Sequence, residues 1–357
     1  MTSDAASSAG VSAAPVASRL AEKRRLLEGL SSSSKRVPHP VVSTWGLANL
    51  EISVPIGSFP VDGAEETFVD GPIDAVVGGV AANVSRALGR LGVTVHAHLV
   101  VGTDDLGAQV RSQLDRWEGV EATAIPTPEC PRTVVLYADD GRRHILMDPR
   151  AATSTDFPAE LLATIGRSQL AHVTLADIGR PVLEAASAAG VPVAVDLQAV
   201  TDIDSARVRT FAGAASVLFL SGAGLAPAER LDTLRAIAAR FDIPIAVMGM
   251  GSEGAAMTTD AGESVITAPA DSPRPVRSTL GAGDALAAGF LASLVQGMDP
   301  SRCLRRATLF AGHKIGAVGG TQGFLDAAEL GRLESDAGMQ PAMGPRSALP
   351  NPIRPTE

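Results

Sequence analysis

Thr279-Leu280-Gly281-Ala282-Gly283-Asp284 joins a glycine turn to a carboxylate at the point where an apolar helix begins. Glycines on either side of an alanine let successive N–H groups turn inward as an anion-binding nest, and a helix starting there adds the positive end of its dipole. Such a nest stabilises negative charge developing on a transferred phosphoryl group. Asp284 can then be a first-turn acid that complements the helix dipole, or a base that takes a proton from an attacking hydroxyl. A carboxylate beside an anion nest repels the phosphate it faces, an arrangement that is useful when the carboxylate must accept a proton. These residues predict phosphoryl transfer without lysine. Lys23, Lys35 and Lys314 are the only lysines and none follows a glycine loop of Walker A form, which leaves backbone and arginine to hold phosphate.

Two more glycine groups stand upstream. Gly78-Gly79 runs into a helical pattern with Val84, Leu88 and Leu91 on one face and Asn83 one turn inside. The glycine pair either admits a ligand close to backbone, with the Asn83 amide offering hydrogen bonds to a polyol, or packs the helix tightly on a strand. Gly249-Met250-Gly251-Ser252-Glu253-Gly254 matches the GxGxxG dinucleotide fingerprint after a strand from Ile243 to Met248. That fingerprint requires a helix next. Ala255 to Thr259, the turn Asp260-Ala261-Gly262 and Ser264 to Thr267 predict strand, turn and strand instead, which argues against a nicotinamide site. His96 and His98 share one strand face with no third ligand nearby and are read as ordinary strand residues.

The elements that must hold these groups follow from periodicity. Leu286, Phe290 and Leu294 recur at a spacing of four and Gly297 offers a stop, predicting a helix from Ala285 to Gln296 with Asp284 at its start. Helices are also predicted over Ala81 to Leu91, Gly107 to Trp117 (after Asp104 and Asp105), Ala159 to Ile165, Pro181 to Ala189, Pro227 to Arg240 and Ser301 to Val318. Val- and Ile-rich runs alternate with them, at His96 to Val101, Val191 to Asp196, Val217 to Leu220 and Ile243 to Met248. That alternation implies βαβ units and a mainly parallel sheet. Two places break the rhythm. Thr133 to Tyr137 and His144 to Met147 flank the hairpin signal Asp139-Asp140-Gly141, and Val54 to Phe59 and Thr67 to Val69 are separated by Asp62 and Gly63. These strands, from about 52–70 and 133–147, are expected to form a lid over a cleft. Arg142 and Arg143 beside the second turn can reach a substrate anion or solvate the tip, and the tip is the preferred reading.

The chain has 357 residues, 45% of them apolar, enough for one large α/β domain or two small ones. A net charge of −9 and no basic run longer than Lys23-Arg24-Arg25 argue against nucleic acid or an anionic membrane as main partner and favour a small soluble ligand. Cys130 and Cys303 lack metal-type spacing and fit a reducing compartment. Neither a signal-peptide pattern nor a run near the roughly 20 apolar residues of a membrane span is present, so a cytoplasmic protein is expected. Residues 1–38, rich in Ala and Ser with a helical candidate from Ala17 to Leu30, are expected to be a flexible arm. The folded domain is expected over 39–335, and the proline-rich 336–357 is expected to be a loose tail.

With its three glycine groups in this order, at 78–92, 249–254 and 279–290, the chain resembles the PfkB, or ribokinase-like, family of carbohydrate and nucleoside kinases over about residues 41–333. The resemblance implies a three-layer α/β/α ribokinase-like sandwich with a mainly parallel central sheet and a small β-strand lid. ATP-Mg2+ and a hydroxylated substrate would bind in the cleft between. It implies Asp284 as general base and the amides of Gly281, Ala282 and Gly283 as the hole for the γ-phosphate. Thr279, Gly281 and Gly283, together with Gly251, Ser252 and Gly254, would hold the nucleotide, and Ala307 to Val318 with Gly320 to Gly323 would flank adenine. For the acceptor it implies Asn49 and Glu51 on the first-strand N-x-D motif, Gly78, Gly79 and Asn83 from the diglycine block, and Asp177 after the strand His172 to Leu175. A homodimer through the lid strands belongs to the same resemblance.

The chain departs from that pattern in three places. Glu51 replaces the usual Asp, and one extra methylene carries the carboxylate outward by about 1.5 Å. Its other reading is an edge-strand surface acid, although an extended strand puts Asn49 on the same face. Ser278 replaces an acid that commonly helps bind a monovalent cation, so potassium activation is not implied for this chain. The family's N-x-x-E motif is missing from Ser221-Gly222-Ala223-Gly224, which leaves Asp196 or Glu229 as acids for a metal. The expected function is ATP-dependent phosphorylation of a hydroxyl on a sugar or sugar-like acceptor, the 3% aromatic content favouring a sugar over a stacked base. The alternatives are a nucleoside kinase of the same family and a catalytically weak ribokinase-like protein that binds a metabolite as a regulator.

Overall fold

Runs such as Val217 to Leu220 and Ile245 to Met248 are apolar at consecutive positions, so each becomes a strand buried on both faces, and helices cover both sides. A computed structural model describes residues 16–31, 40–61, 65–138, 141–150, 152, 155–199, 202–269 and 272–338. In chain order these form α1 (Val16–Ser31), β1 (Val41–Leu47), β2 (Asn49–Pro55), β3 (Asp74–Gly78), α2 (Val80–Arg90), β4 (Thr94–Gly102), α3 (Asp105–Leu114) and β5 (Val120–Thr127). Next come β6 (Arg132–Tyr137), β7 (Arg143–Asp148), α4 (Ala159–Leu162), β8 (Leu170–Thr174), α5 (Arg180–Ala189), β9 (Val193–Ala199), α6 (Ala206–Ala214), β10 (Val217–Ser221) and α7 (Arg230–Arg240). The chain ends with β11 (Ile245–Gly249), β12 (Ala255–Thr259), β13 (Ser264–Ala268), α8 (Ala282–Val295), α9 (Pro300–Lys314) and α10 (Ala327–Asp336).

Among the described residues nine strands form one sheet in the order β13-β12-β11-β10-β9-β8-β1-β4-β5. It is parallel from β5 to β11, and β12 and β13 turn back antiparallel at the edge, as the strand-turn-strand expectation required. One core packs α2, α8 and α9 on the face carrying Val42, Leu99 and Phe219; a second packs α5, α6 and α7 on the face carrying Trp45, Val100 and Leu218. This is the expected three-layer sandwich. No helix among the described residues is long and apolar enough to cross a membrane.

The lid is a second sheet, ordered β3-β2-β6-β7. β1 passes through the fully buried Ala48 straight into β2, so the lid springs from the C-terminal end of a central strand. Ala48 N is held to Val100 O on β4 at 3.1 Å. The hairpin at Gly141 is as expected, with β6 and β7 closed by Ala138 N to Arg142 O at 3.0 Å. The other expected hairpin is not. Strands at Val54 to Phe59 and Thr67 to Val69 give way to Asn49–Pro55 pairing antiparallel with Asp74–Gly78. Pro55 removes a ladder donor from the expected strand and Pro60 follows it directly, whereas Asp74 to Gly78 offers an unbroken set. The expected turn residues Asp62, Gly63, Asp139 and Asp140 lie outside the described residues.

The expected flexible arm is also corrected over 16–31. α1 is docked on the domain: Leu27 enters the core, Lys23 is buried with Nζ donating to Phe241 O at 2.8 Å, and Arg24 pairs with Asp260 at 2.6 Å. An apolar stripe with a lysine that can bury its stem and satisfy its head is enough to anchor a helix. Residues 1–15, 32–39 and 339–357, which complete the expected arm and tail, lie outside the described residues. Two helices went unforeseen, α6 and α10. Both carry side-chain caps, Ser205 to Val208 N at 3.3 Å and the reciprocal Asp326–Glu329 box at 2.8 and 2.7 Å. Leu27→Ala is expected to lower the unfolding free energy by about 2 kcal/mol in urea titration; an unchanged transition midpoint would show that α1 adds nothing to the fold.

Candidate active site

The Gly281 turn and the first turn of α8 behave as the glycine spacing predicts. Gly281 takes the left-handed conformation at φ 73° and caps α8, whose first turn carries Asp284. The first amides of a helix have no intrahelical acceptor, so they are free for an anion. Ala282 N turns back to Thr279 O at a long 3.3 Å, and Gly283 is exposed while Asp284 beside it is buried. From Asp284 to Val295 every residue of α8 is buried, which fixes the helix and hence its N-terminus.

Asp284 is held from across the core. Asn83, in the first turn of α2, donates through Nδ2 to Asp284 Oδ2 at 2.6 Å. Among the described residues Asn83 Oδ1 is buried with no hydrogen-bond partner, and so is Asn49 Oδ1, whose Nδ2 is spent on Thr133 Oγ1 at 2.8 Å. Two amide oxygens therefore stand in the site as acceptors that lack donors. Glu51 follows Asn49 on the same face of β2 and is buried; β2 lies between β3 and β6, so the edge-strand reading of Glu51 fails. Its Oε1 accepts from Gly320 N at 2.8 Å.

The diglycine serves a different purpose from open ligand access. A Cβ at Gly78 would stand 2.6 Å from Asn49 Oδ1 and 2.8 Å from Glu51 Oε2, so side chains already fill that space. Gly79, at φ 98°, caps α2, and a Cβ there would stand 2.7 Å from Leu47 O. Gly320 is crowded in the same way, a Cβ there lying 2.8 Å from both Glu51 Oε2 and Asn83 Nδ2. The segment 320–323, expected beside adenine, thus begins against the acceptor-side residues, and Thr321 Oγ1 donates to Val77 O at 2.8 Å on β3.

Two cations missing from the sequence-based site complete it. Lys314, the last residue of α9, is wholly buried and its charge acts on both Glu51 and Asp284, so the expectation of a site without lysine is overturned. The reason is that Lys314 reaches the nest from behind rather than along a glycine loop. Arg143, at the start of β7, hydrogen-bonds the Thr279 hydroxyl and its charge also acts on Asp284, so it points into the site rather than solvating the lid tip. Arg142 lies over the Phe59 ring instead.

These groups set the proton affinities. Burial pushes Asp284 up to about 6, against the downward pull of Asn83, Lys314 and Arg143. Asp196, buried near the end of β9, is pushed up to about 7 by burial and then by the Asp284 charge, with Gln198 N at 2.7 Å opposing. Burial also raises Glu51, opposed by Gly320 N and Lys314.

Other expected site residues lie apart from this cluster. Asp177 is half-exposed and ion-paired with Arg180 at 3.2 Å and Arg207 at 3.1 Å, and none of its hydrogen bonds among the described residues reaches Asn49, Asn83 or Asp284. Glu229 is exposed and accepts from Ala226 N at 3.4 Å, which removes it as a site acid. Gly251, Ser252 and Gly254 form a tight exposed turn after β11, with positive φ at both glycines. A Cβ on the neighbouring Gly249 would stand 3.5 Å from Leu286 Cδ2, which sets the base of that turn beside the first turn of α8.

The donor set fits a nucleotide triphosphate and its metal in a specific way. The first-turn amides of α8, with the Arg143 and Lys314 charges acting on the same turn, suit phosphate oxygens. No group of three or more metal-ligating side chains occurs among the described residues, and Asp284, Asp196 and Glu51 are the buried carboxylates described above.

Comparison with known proteins agrees with this geometry. Residues 65–327 match the pfkB family carbohydrate kinase domain. The chain is 28% identical over 299 residues to an acarbose 7(IV)-phosphotransferase of Actinoplanes sp., covering 82% of this chain and 97% of that protein. It is 33% identical over 239 residues to an ATP-dependent ribose-1-phosphate kinase of Halopiger xanaduensis, covering 64% and 77%. Among solved structures, the microbiome-derived acarbose kinase Mak1 superposes with a TM-score of 0.75 at 26% identity, over 84% of this chain and 100% of that one. Arabidopsis thaliana ribokinase with ribose and ATP shares the fold at a TM-score of 0.68 and 21% identity, over 83% and 99%. The glycine nest, the strand that leads into a lid and the match over most of the chain agree: this chain belongs to the pfkB family of carbohydrate kinases.

Proposed function

We propose that the chain transfers the γ-phosphate of ATP to a hydroxyl of a sugar or sugar-like acceptor, with Asp284 as the base. The observation that carries this reading is the pair of orphaned amide oxygens, Asn49 Oδ1 and Asn83 Oδ1, beside a carboxylate held at 2.6 Å by the same Asn83. Buried acceptors without donors are costly unless a ligand satisfies them, and a polyol supplies O–H donors. The acceptor hydroxyl would give its proton to Asp284 as it attacks, while the amides of Gly281, Ala282 and Gly283 and the Arg143 guanidinium stabilise charge on the transferred group. Magnesium, when bound with the nucleotide, neutralises phosphate charge, and Asp196 is the protein carboxylate placed to assist it. The Gly251, Ser252 and Gly254 turn lies on the nucleotide side; Asn49, Gly78, Gly79 and Glu51 shape the acceptor side.

The relatives named for acarbose and ribose 1-phosphate make a carbohydrate acceptor the first choice, acarbose-like oligosaccharides and sugar phosphates included. A homodimer through the lid belongs to the same proposal. β7 is an exposed edge strand carrying Leu146, 51% exposed, and Met147, 75% exposed.

The test is ADP formation in a coupled assay over acarbose, ribose 1-phosphate, simple sugars and inosine. Asp284→Ala should lower kcat on the accepted substrate by about 10²–10⁴-fold, the usual worth of a general base; a substrate turned over equally by both proteins would remove Asp284 from the chemistry. Because Asp284 must be ionised to act and burial holds its proton up to about 6, kcat/KM should rise with pH through about 6 and fall tenfold per unit below it. Asn83→Leu removes the hydrogen bond that favours the carboxylate, so that limb should move upward; a limb that stays in place on this change would assign it to another group.

A further inference from the structure

Lys314 is a full positive charge with no exposure to solvent. It ends α9, and its Nζ turns onto the loop that follows, donating to Gly319 O at 2.7 Å and Ala317 O at 3.4 Å. The charged groups that face it come from four directions: Glu51 on β2, Asp284 on α8, Arg143 on β7 and Arg274 in the segment before α8. Burial lowers its proton affinity, the two acids oppose this, and the outcome of about 8 leaves it protonated at neutral pH.

Its packing ties the site together. A Cβ at Gly281 would meet Lys314 Cε at 3.0 Å and Gly320 O at 2.8 Å, so the nest turn rests directly on the lysine and its loop. Gly320 N binds Glu51 on the lid strand. Arg274 Nε donates to His313 O in the last turn of α9 at 2.7 Å, and its side chain packs against Gly316 of the loop. If the side chain served only to fill space, an apolar chain of that length would pack without the several-kcal/mol desolvation of an ammonium. What distinguishes the place is its oxygens: two main-chain carbonyls that point at the ammonium, and two carboxylates that balance it. Carbonyls converging from one loop, backed by carboxylate, are what a protein offers to a bound cation.

We propose that Lys314 is a built-in monovalent cation: its ammonium, seated on the carbonyls of Ala317 and Gly319, locks the 315–320 loop beneath the Gly281 turn and supplies the positive charge under the anion nest, so that the enzyme needs no added potassium or sodium. Lys314 is a positioning residue, acting through the nest and through Asp284. The kinetic part rests on the phosphoryl-transfer reading above; the structural part does not.

The experiment has two arms. In the first, thermal melting of the wild-type chain, Lys314→Ala and Lys314→Met is followed in N-methylglucamine, potassium and methylammonium chloride at equal ionic strength. The wild-type midpoint should be the same in all three, whereas Lys314→Ala should melt lower and regain about 4 °C or more in methylammonium or potassium. Lys314→Met, which fills the space without the charge, should not respond. In the second, kcat/KM of the wild-type chain should agree within about twofold across the three salts, and Lys314→Ala should lose about 10²-fold, the scale of a lost charge-stabilising donor, and recover at least tenfold with methylammonium. Lys314→Met should also shift the acid limb upward from its position near 6, because a cation beside Asp284 is gone.

A wild-type midpoint or rate that rises tenfold-equivalent with potassium would overturn the proposal. So would a folded Lys314→Ala that is neither destabilised nor impaired, or one that is destabilised and ignores every cation. If the wild-type chain phosphorylates nothing, the phosphoryl-transfer reading fails while the melting arm still decides the proposal on its own.

Discussion

A carboxylate withdrawn from water takes up a proton unless donors or cations hold its charge, and Asp284 sits close to that balance. Burial alone would keep it protonated; the 2.6 Å donation from Asn83, with Lys314 and Arg143 at longer range, brings it down to about 6. A hydrogen bond to a charged group contributes about 1.5–3 kcal/mol, enough to decide which protonation state prevails near neutrality. The same contact joins α2 to α8, so the diglycine block and the nest block, 200 residues apart in the chain, become one site. Gly79 sets where α2 starts, with no room for a Cβ beside Leu47 O, and the buried run from Asp284 to Val295 sets where α8 starts. If either helix slid by even part of a turn, the bond would be lost and the proton affinity of Asp284 would rise.

Close approach around that bond explains why glycine stands where it does. Gly78, Gly281 and Gly320 each have side-chain or carbonyl atoms 2.6–2.8 Å from where a Cβ would go. What crowds them is polar: Asn49, Glu51, Asn83 and the Gly320 carbonyl. The longer Glu51 side chain then finds a fixed partner in Gly320 N, and the loop after α9 is stitched to the lid strand. The extra methylene relative to Asp therefore serves reach within the protein, and it leaves Asn49 and Asn83 as the groups with unfilled hydrogen-bonding capacity.

Much of this was legible in the chain. The nest, Asp284 in a first turn, Asn83 one turn into α2, and Asn49 and Glu51 on one strand face all follow from local spacing, because helix and strand periodicities fix which side chains share a face. The strand after Gly254 was legible for the same reason. Lys314 was not, because a lone lysine at a helix C-terminus ordinarily complements the dipole in solvent, and only the packing of α9 on α8 sends it inward. Arg143 was misread as tip-solvating since its partner, Thr279, lies 136 positions away. Asp177 failed in the opposite sense: the strand end before it was placed correctly, but two arginines on neighbouring helices capture the carboxylate at the surface. The first lid hairpin failed because the alternation at 54–59 looked like a strand while Pro55 denied it a ladder donor.

The charge balance at the centre also bears on when the proposed base becomes strong. Before nucleotide arrives, Lys314 and Arg143 face Glu51 and Asp284, with Asp196 close to protonated at neutral pH. Two cations against two carboxylates leave little field to spare. A triphosphate at the proposed phosphate site would add negative charge near Asp284 and so would favour its protonated form. A carboxylate near 6 is a stronger base than an ordinary surface Asp and still mostly ionised at neutral pH, and any further rise would gain basicity at the expense of the ionised fraction. A lone surface Asp near 4 would need far more help to reach the same point, and it is burial, imposed by the apolar helix α8, that supplies the difference.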